Sequence, residues 1–482
     1  MPVATPHTAL PGQPDQSQPA QASSNGVNGN HAAAAAALNG TKNGVTPGSS
    51  IIEDILARRA KAGKLVAGIA AASDSDMWKG PQTGKPKAKR WDTSATGHLS
   101  KESLERKPCT LKLAAKHLKK PGLISLGGGL PSSETFPFAE FAMKVPVAPH
   151  FSEEETLENG QTVTIGKYDV RDHDAVYDLS IALNYGQSTG SAQMLRFLTE
   201  HTEIVCNPPY ADWRICQTIG STGALEQALR MFCDKDRGDS VLTEDFSFST
   251  ALETIAPLGV KVFGTPIDDE GLVPEAMDML LTNWDDKERG ARKPHVLYTV
   301  PSGQNPTGAT QGTERRRAIY SVCQKHDVFI IEDEPYYFLQ MQPYTGRNQP
   351  DVPPPSTVEE FVSSLIPTYV SMDIDGRVLR MDSVSKVLVP GSRLGWVLWL
   401  HVDYAKHPQA ATKSLNDVEE EIFNSCIDGG VLVARGSWFL AEKEKPMPGL
   451  FFRATYAAAS PENMNEAIRR FGQAVRHSFG NW

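Results

Sequence analysis

Four short segments of this 482-residue chain carry the side chains that could do chemistry. The densest is Asp382-Ser383-Val384-Ser385-Lys386-Val387, followed by Pro390-Gly391-Ser392-Arg393-Leu394-Gly395-Trp396. A lysine set between hydroxyls, with an arginine seven residues on, stands here beside the apolar run Val387, Leu388, Val389. Partial burial would lower the amine's pKa and make Lys386 a nucleophile able to condense with an aldehyde, whereas a surface lysine is the plain alternative. Glu332-Asp333-Glu334-Pro335-Tyr336-Tyr337 puts a carboxylate directly after an apolar run. That is costly unless a cation meets it, and no lysine or arginine lies nearby in sequence. Pro301-Ser302-Gly303-Gln304-Asn305-Pro306-Thr307-Gly308 has two prolines and two glycines, which fix a turn and leave the Asn305 amide free to hydrogen-bond. Gly220-Ser221-Thr222-Gly223-Ala224 combines glycines, hydroxyls and a helix start. It would cradle an anion or serve as an ordinary N-cap.

Each segment follows a strand-like run: Ile215–Ile219, Val296–Val300, Val328–Ile331 and Val378–Met381. Between them lie helical patterns such as 223–233, where Leu225, Ala228, Leu229 and Phe232 recur at i, i+3, i+4, i+7. Strands alternating with helices predict an α/β fold with a parallel sheet. In such sheets ligands bind beyond the carboxyl ends of the strands, so the four segments would share one rim. An aldehyde-trapping amine, anion anchors and a carboxylate awaiting a cation together suggest pyridoxal 5'-phosphate as the cofactor.

Composition removes several other classes. With 48 Lys and Arg against 57 Asp and Glu the formal charge is −9, so no global field favours nucleic acid or an anionic membrane. No apolar run approaches the roughly 20 residues of a spanning helix. The six cysteines are scattered, with neither a C-x-x-C pair nor metal-ligand spacing. With no signal peptide, they read as reduced thiols of a cytoplasmic protein without a metal. Residues 1–50, built of Ala, Gly, Asn, Ser, Pro and Gln, read as a disordered tail. Residues 51–100 read as a linker with one short amphipathic helix, on Ile51, Ile52, Ile55, Leu56, Leu65 and Val66. A solvated basic cluster follows at Lys85, Lys87, Lys89 and Arg90.

The motifs Gly303-Gln304-Asn305-Pro306-Thr307-Gly308, Asp333-x-Pro335-Tyr336 and Ser383-x-Ser385-Lys386-x6-Arg393 resemble the signature set of class I/II aminotransferases of fold type I. Ser125-Leu126-Gly127-Gly128-Gly129-Leu130-Pro131, Asn184-Tyr185-Gly186 and Phe451-Phe452-Arg453-Ala454-Thr455-Tyr456 narrow the likeness. From about residue 100 to 478 the chain looks like the fungal aromatic or 2-aminoadipate aminotransferases, relatives of kynurenine aminotransferase. The resemblance implies a large cofactor domain (146–396) with a mostly parallel sheet flanked by helices, and a smaller α+β domain from 101–145 and 397–482. It implies that Lys386 carries the cofactor and moves the proton, that Asp333 pairs with the pyridinium nitrogen, and that Asn305 and Tyr336 bond the phenolate oxygen. Phe248 would stack on the ring, while Ser221, Thr222, Ser383, Ser385 and Arg393 would hold the phosphate. Tyr185 would reach the phosphate of a neighbouring subunit in a homodimer. Arg453 would clamp the substrate carboxylate, with the Gly128 and Gly129 backbone lining the substrate side. The implied reaction transfers an amino group from an aromatic amino acid, 2-aminoadipate or kynurenine to 2-oxoglutarate. A cofactor-sensing transcriptional regulator would need a DNA-binding domain, and residues 1–100 show no helix-turn-helix.

One spacing departs from that family. Lys386 and Arg453 are 67 residues apart, about half the spacing of the relatives, so a segment is expected to be absent near 396–397. What remains predicts strands near 397–402, 431–434 and 450–456, a helix near 415–428, and a last helix with Ser460 as N-cap and Pro461 at N1. A layer so reduced should expose an apolar patch. It also leaves open whether Arg453 reaches the cofactor, and so whether the chain is a truncated, poorly active form.

Overall fold

Apolar runs pair into one parallel sheet because each offers a full set of backbone donors and acceptors and two apolar faces to cover. In the computed structural model its strands are β1 (Ser240–Glu244), β2 (Lys261–Thr265), β3 (Val296–Thr299), β4 (Phe329–Asp333) and β5 (Val378–Met381), in the order β2-β1-β3-β4-β5. The structure describes residues 51–62, 75–80, 85–88, 98–107, 131–173, 175–341, 352–387, 398–402, 406–455 and 460–480. Residues 1–50, Lys89, Arg90, Gly128, Gly129, Arg393 and the junction at 396–397 therefore lie outside the described residues.

Side chains alternate across each strand, so the sheet is apolar on both faces. Val241, Val296, Tyr298, Phe329 and Ile331 meet Leu225, Ala228, Leu229 and Phe232 of α1 (Gly220–Phe232), with Ala251 and Ile255 of α2 (Ser249–Ile255). Leu242, Leu297, Ile330 and Val378 meet Met277 and Leu281 of α3 (Pro274–Thr282) and Ile319, Tyr320 and Cys323 of α4 (Thr313–His326).

The expected strand Ile215–Ile219 is not a strand. β-Branched residues favour a pleated backbone, but only pairing with a neighbour makes one. Here the Ile215 N–H donates to Ser75 Oγ and the Gln217 N–H to Thr189 O, while Ile219 is 93% exposed. The helix that follows begins at Gly220, three residues earlier than the periodicity predicted, so Ser221 and Thr222 lie in its first turn.

The segment 51–100 contains the helix Ile51–Ala62, in which Ile55 is buried. Arg58 and Arg59 of that helix reach Glu203 and Glu200 of the helix Ala192–Val205. Lys85 donates to Asn207 Oδ1 at 2.8 Å and to Pro208 O at 2.9 Å. Ser100 Oγ caps the short helix Lys101–Glu105 and also donates to Arg230 O, which seats that helix on the end of α1.

The carboxyl-terminal layer is a three-stranded antiparallel sheet of β6 (Leu398–Val402), β7 (Ala434–Arg435) and β8 (Leu450–Ala454), in the order β6-β8-β7. Val418, Ile422 and Cys426 of α5 (Leu415–Asp428), with Phe471 and Ala474 of α6 (Pro461–Ser478), cover Leu450 and Phe452. Ser460 is the N-cap of α6, accepting from Asn463 N. Ile427, Leu432, Trp438 and Ile468 of this layer are exposed.

Phe232 is fully buried, its ring 4.9 Å from that of Phe329. Phe232→Ala should lower the unfolding free energy by about 3–5 kcal/mol in urea. A loss below about 1 kcal/mol would mean that α1 is not seated on the sheet as described.

Candidate active site

The site forms on the α1 face at the carboxyl ends of β3, β4 and β5. Asp333 ends β4 on the same face as Ile331, two residues before it, and Tyr298 pairs with Ile331 across the ladder. The Tyr298 hydroxyl donates to Asp333 Oδ2 at 2.9 Å, both groups being buried. Burial pushes the Asp333 carboxyl up to about 7, although the Tyr298 bond and the charge of Lys386 pull it down.

Asn305 lies in a turn tied on both sides. Gln304 Nε2 donates to Phe246 O at 2.6 Å, Gln304 Oε1 accepts from Thr307, and Gly308 N donates to Gln304 O. Gly303 has φ +56°, a conformation that favours glycine, and packs on Tyr336. The Asn305 amide is within hydrogen-bond reach of the Tyr336 hydroxyl. Burial raises the Tyr336 phenol to about 12 with help from Asp333, against the opposing effect of Arg453 and Asn305.

Ser383 caps the short turn Val384–Lys386. Its hydroxyl accepts from Ser385 N at 3.0 Å and donates to Ser385 Oγ at 2.6 Å. That turn lays Lys386 Nζ over the Tyr336 ring, 5.3 Å from its centre. Arg453, on β8, lies over Phe439 at 5.1 Å and close enough to Tyr336 for their charges to interact; burial lowers its pKa. Phe248 is half-buried against the core cluster that contains Tyr336, and Tyr185 is 71% exposed. Arg393, Gly128 and Gly129 are outside the described residues.

Nine buried side-chain polar atoms among the described residues have no hydrogen-bond partner, and four are Ser221 Oγ, Asn305 Oδ1, Asp333 Oδ1 and Arg453 Nε. Buried polar groups are nearly always satisfied, so the three on Asn305, Asp333 and Arg453, all acting on Tyr336, mark a ligand site. The Ser221 hydroxyl, the Asp333 oxygen and the Arg453 N–H suit, respectively, a phosphate, a protonated ring nitrogen and a carboxylate, and Asn305, whose Oδ1 is an acceptor, can donate from Nδ2 to a phenolate oxygen. These residues fit pyridoxal 5'-phosphate with an amino acid.

Sequence reasoning missed the polar layer behind the site. Glu332 and Glu334 alternate to the opposite face from Asp333, where the fully buried Arg316 donates to Glu334 Oε1 at 2.9 Å, Ser302 Oγ at 2.8 Å and Gln311 O at 3.0 Å. Arg380 pairs with Glu332 at 3.1 Å. Arg316 thereby links the Asn305 turn to the Tyr336 turn. Its signal was in the sequence: it shares the buried i, i+3, i+4, i+7 register with Ile319, Tyr320 and Cys323.

The fold and the residues at its rim define a pyridoxal-phosphate enzyme of fold type I. The pattern of the aminotransferase class I and II family matches residues 183–407. An aromatic amino acid aminotransferase of Schizosaccharomyces pombe is 36% identical, over 79% of this chain and 98% of its own. An L-tyrosine:2-oxoglutarate aminotransferase of Serpula lacrymans is 38% identical over 62% of this chain and 56% of its own. The crystal structure of the aminotransferase Aro8 from Candida albicans superposes with a TM-score of 0.70 and 30% identity, over 82% of this chain and all of that one. The chain belongs to the class I and II aminotransferases, which depend on pyridoxal phosphate.

The match to the S. pombe protein runs over 468 positions but takes up 79% of 482 residues here, about 381, so about 87 positions of the relative face no residue of this chain. The S. lacrymans match runs over 312 positions on 62%, about 299 residues, a difference of only about 13.

Arg316→Met removes one partner of a buried ion network. The loss should be about 3–5 kcal/mol of stability, measured by thermal or urea unfolding, because the buried Glu334 loses its nearest cation while Glu332 keeps Arg380. A variant as stable as the parent would show that the network does not bear on this part of the fold.

Proposed function

We propose that this aminotransferase takes an aromatic L-amino acid as donor and 2-oxoglutarate as acceptor. The observation that carries the reading is the set of unpartnered polar atoms on Asn305, Asp333 and Arg453 around Tyr336, over whose ring Lys386 lies. The names of the S. pombe and S. lacrymans relatives support the donor and acceptor. When bound, pyridoxal phosphate supplies an electron sink that stabilises negative charge on the substrate's α-carbon. Lys386 would hold the cofactor through Nζ, and the same amine, when free, would be the group that takes the proton from the substrate's α-carbon. Asp333 meets the ring nitrogen, and Asn305 and Tyr336 bond the phenolate oxygen. Ser221, Thr222, Ser383, Ser385 and Arg393 hold the phosphate through hydroxyls, a helix start and one guanidinium. Phe248 stacks on the ring. Arg453 fixes the α-carboxylate in a planar fork, beside the Gly128 and Gly129 backbone.

The exposure of Tyr185 supports a homodimer in which it reaches the phosphate of the neighbouring subunit. The free thiols of Cys206, Cys216, Cys233, Cys323 and Cys426 support a reducing compartment, the cytoplasm. No described helix is long and apolar enough to cross a membrane.

Tyrosine or phenylalanine should abolish the cofactor's visible band in the parent protein, and 2-oxoglutarate should restore it with release of glutamate. Lys386→Ala should lose the lysine-linked band and slow turnover by about 10²–10⁴-fold or more. A parent protein whose spectrum ignores aromatic amino acids would end this reading.

A second reading rests on the roughly 87 unmatched positions and the short Lys386–Arg453 spacing. With a segment absent near 396–397, the chain would bind cofactor yet react slowly. Single-turnover rates with tyrosine should then fall far below the ~10 s⁻¹ typical of enzymes, and an ordinary rate would dismiss the idea.

A further inference from the structure

We infer that Tyr298 is a positioning residue that holds Asp333 Oδ2, so that the carboxylate stays ionised with Oδ1 aimed at the cofactor's ring nitrogen. The inference rests on the proposed pairing of Asp333 with that nitrogen. Tyr298 is fully buried within β3, and its hydroxyl lies 2.9 Å from Asp333 Oδ2, across 35 residues of sequence. Asp333 Oδ1 is buried and has no partner. The two oxygens are thus divided, one held by the protein and one left for a ligand.

The groups whose charge or hydrogen bonding acts on Asp333 come from three directions. Tyr298 approaches from β3, Glu334 and Tyr336 from the loop after β4, and Asp382 and Lys386 from the segment after β5. Burial, Glu334 and Asp382 favour the protonated carboxyl, and Tyr298 and Lys386 favour the anion, leaving the group pushed up to about 7. Tyr298 itself is raised well above its usual value, chiefly by burial and then by Asp333, so it remains a donor throughout the working pH range.

A sign follows for the protein stripped of cofactor. Below pH 7 Asp333 holds a proton that must leave before a protonated ring nitrogen can be met; above it the anion is ready. Cofactor affinity should therefore climb with pH through about 7. Deleting the Tyr298 hydroxyl removes support from the anion alone, so that limb should move to higher pH.

The test titrates cofactor-free protein with pyridoxal 5'-phosphate from pH 5.5 to 8.5, following tryptophan fluorescence and absorbance. Tyr298→Phe keeps the ring and its packing. It should bind about ten- to a hundredfold more weakly at pH 7, the scale of one hydrogen bond to a charged group, with the limb displaced upward by about one pH unit or more. Should that variant fail to fold, 3,5-difluorotyrosine at position 298 keeps the donor and strengthens it, and the limb should move to lower pH. A role in packing alone would shift the melting temperature but not the limb. A Tyr298→Phe protein with the parent's affinity and limb, or a difluorotyrosine protein with an unmoved limb, overturns the inference. The functional reading fails separately, if the parent binds no pyridoxal 5'-phosphate or if Asp333→Asn binds it with the parent's affinity and pH dependence.

Discussion

A carboxylate buried at the end of a central strand is the interaction on which this structure turns. β4 lies between β3 and β5, both faces of the sheet are covered, and Asp333 is 5% exposed. An anion in such a place is tolerated only with partners of opposite polarity. The protein supplies a phenol and, more distantly, an ammonium, and leaves one oxygen unsatisfied. A parallel sheet has few places where polar groups can face a cavity, and the carboxyl rim of the strands is the chief one. The Asn305 and Lys386 side chains come to the same rim because each follows a strand there, and both meet Tyr336.

The alternation of side chains along β4 gives the site a back as well as a front. Asp333 lies on the Tyr298 side while Glu332 and Glu334 lie on the other, where Arg316 and Arg380 meet them. Buried ion pairs of this kind are weak evidence for stability in themselves, since desolvation offsets much of the attraction. Their geometry is more telling. A planar guanidinium with five donors can bond Ser302, Gln311 and Glu334 together, and no single apolar side chain could fix the Asn305 turn and the Tyr336 turn to each other in that way. Rigid supports behind a reactive centre keep its donors within the tight tolerances that catalysis needs.

Much of this was legible in the sequence, and the rest was hidden for identifiable reasons. Val378–Met381 and Leu415–Asp428 match their predicted limits because apolar period and flanking residues agree there. Ile215–Ile219 misled because strand propensity says nothing about whether a neighbour has a free edge. Lys386, Asp333 and Asn305 stood out as residues whose types conflict with their apolar or constrained surroundings. Tyr298 did not, because a tyrosine within an apolar strand conflicts with nothing, and only the fold reveals which group its hydroxyl meets. Arg316 did conflict, an arginine in a buried helical register, yet three consecutive arginines at 315–317 masked which of them points inward.

Arg453 completes the electrostatics from the other side. Among the described residues no carboxylate pairs with it; it is held by the face of Phe439, a contact that uses none of its N–H donors. An arginine kept by an aromatic ring presents its hydrogen-bonding edge intact, and Nε, buried and unpartnered, is part of that edge. Asp333 is the mirror case, an anion with one oxygen held and one idle. The chain thus holds a buried anion and a half-buried cation near Tyr336 that do not neutralise each other. Each raises the cost of leaving the site dry, and each is relieved by a ligand with a protonated ring nitrogen at one end and a carboxylate at the other. Under the proposed function those ends belong to the cofactor and to the amino acid respectively. Neither alone meets both charges, so the site is best satisfied when cofactor and substrate are present together.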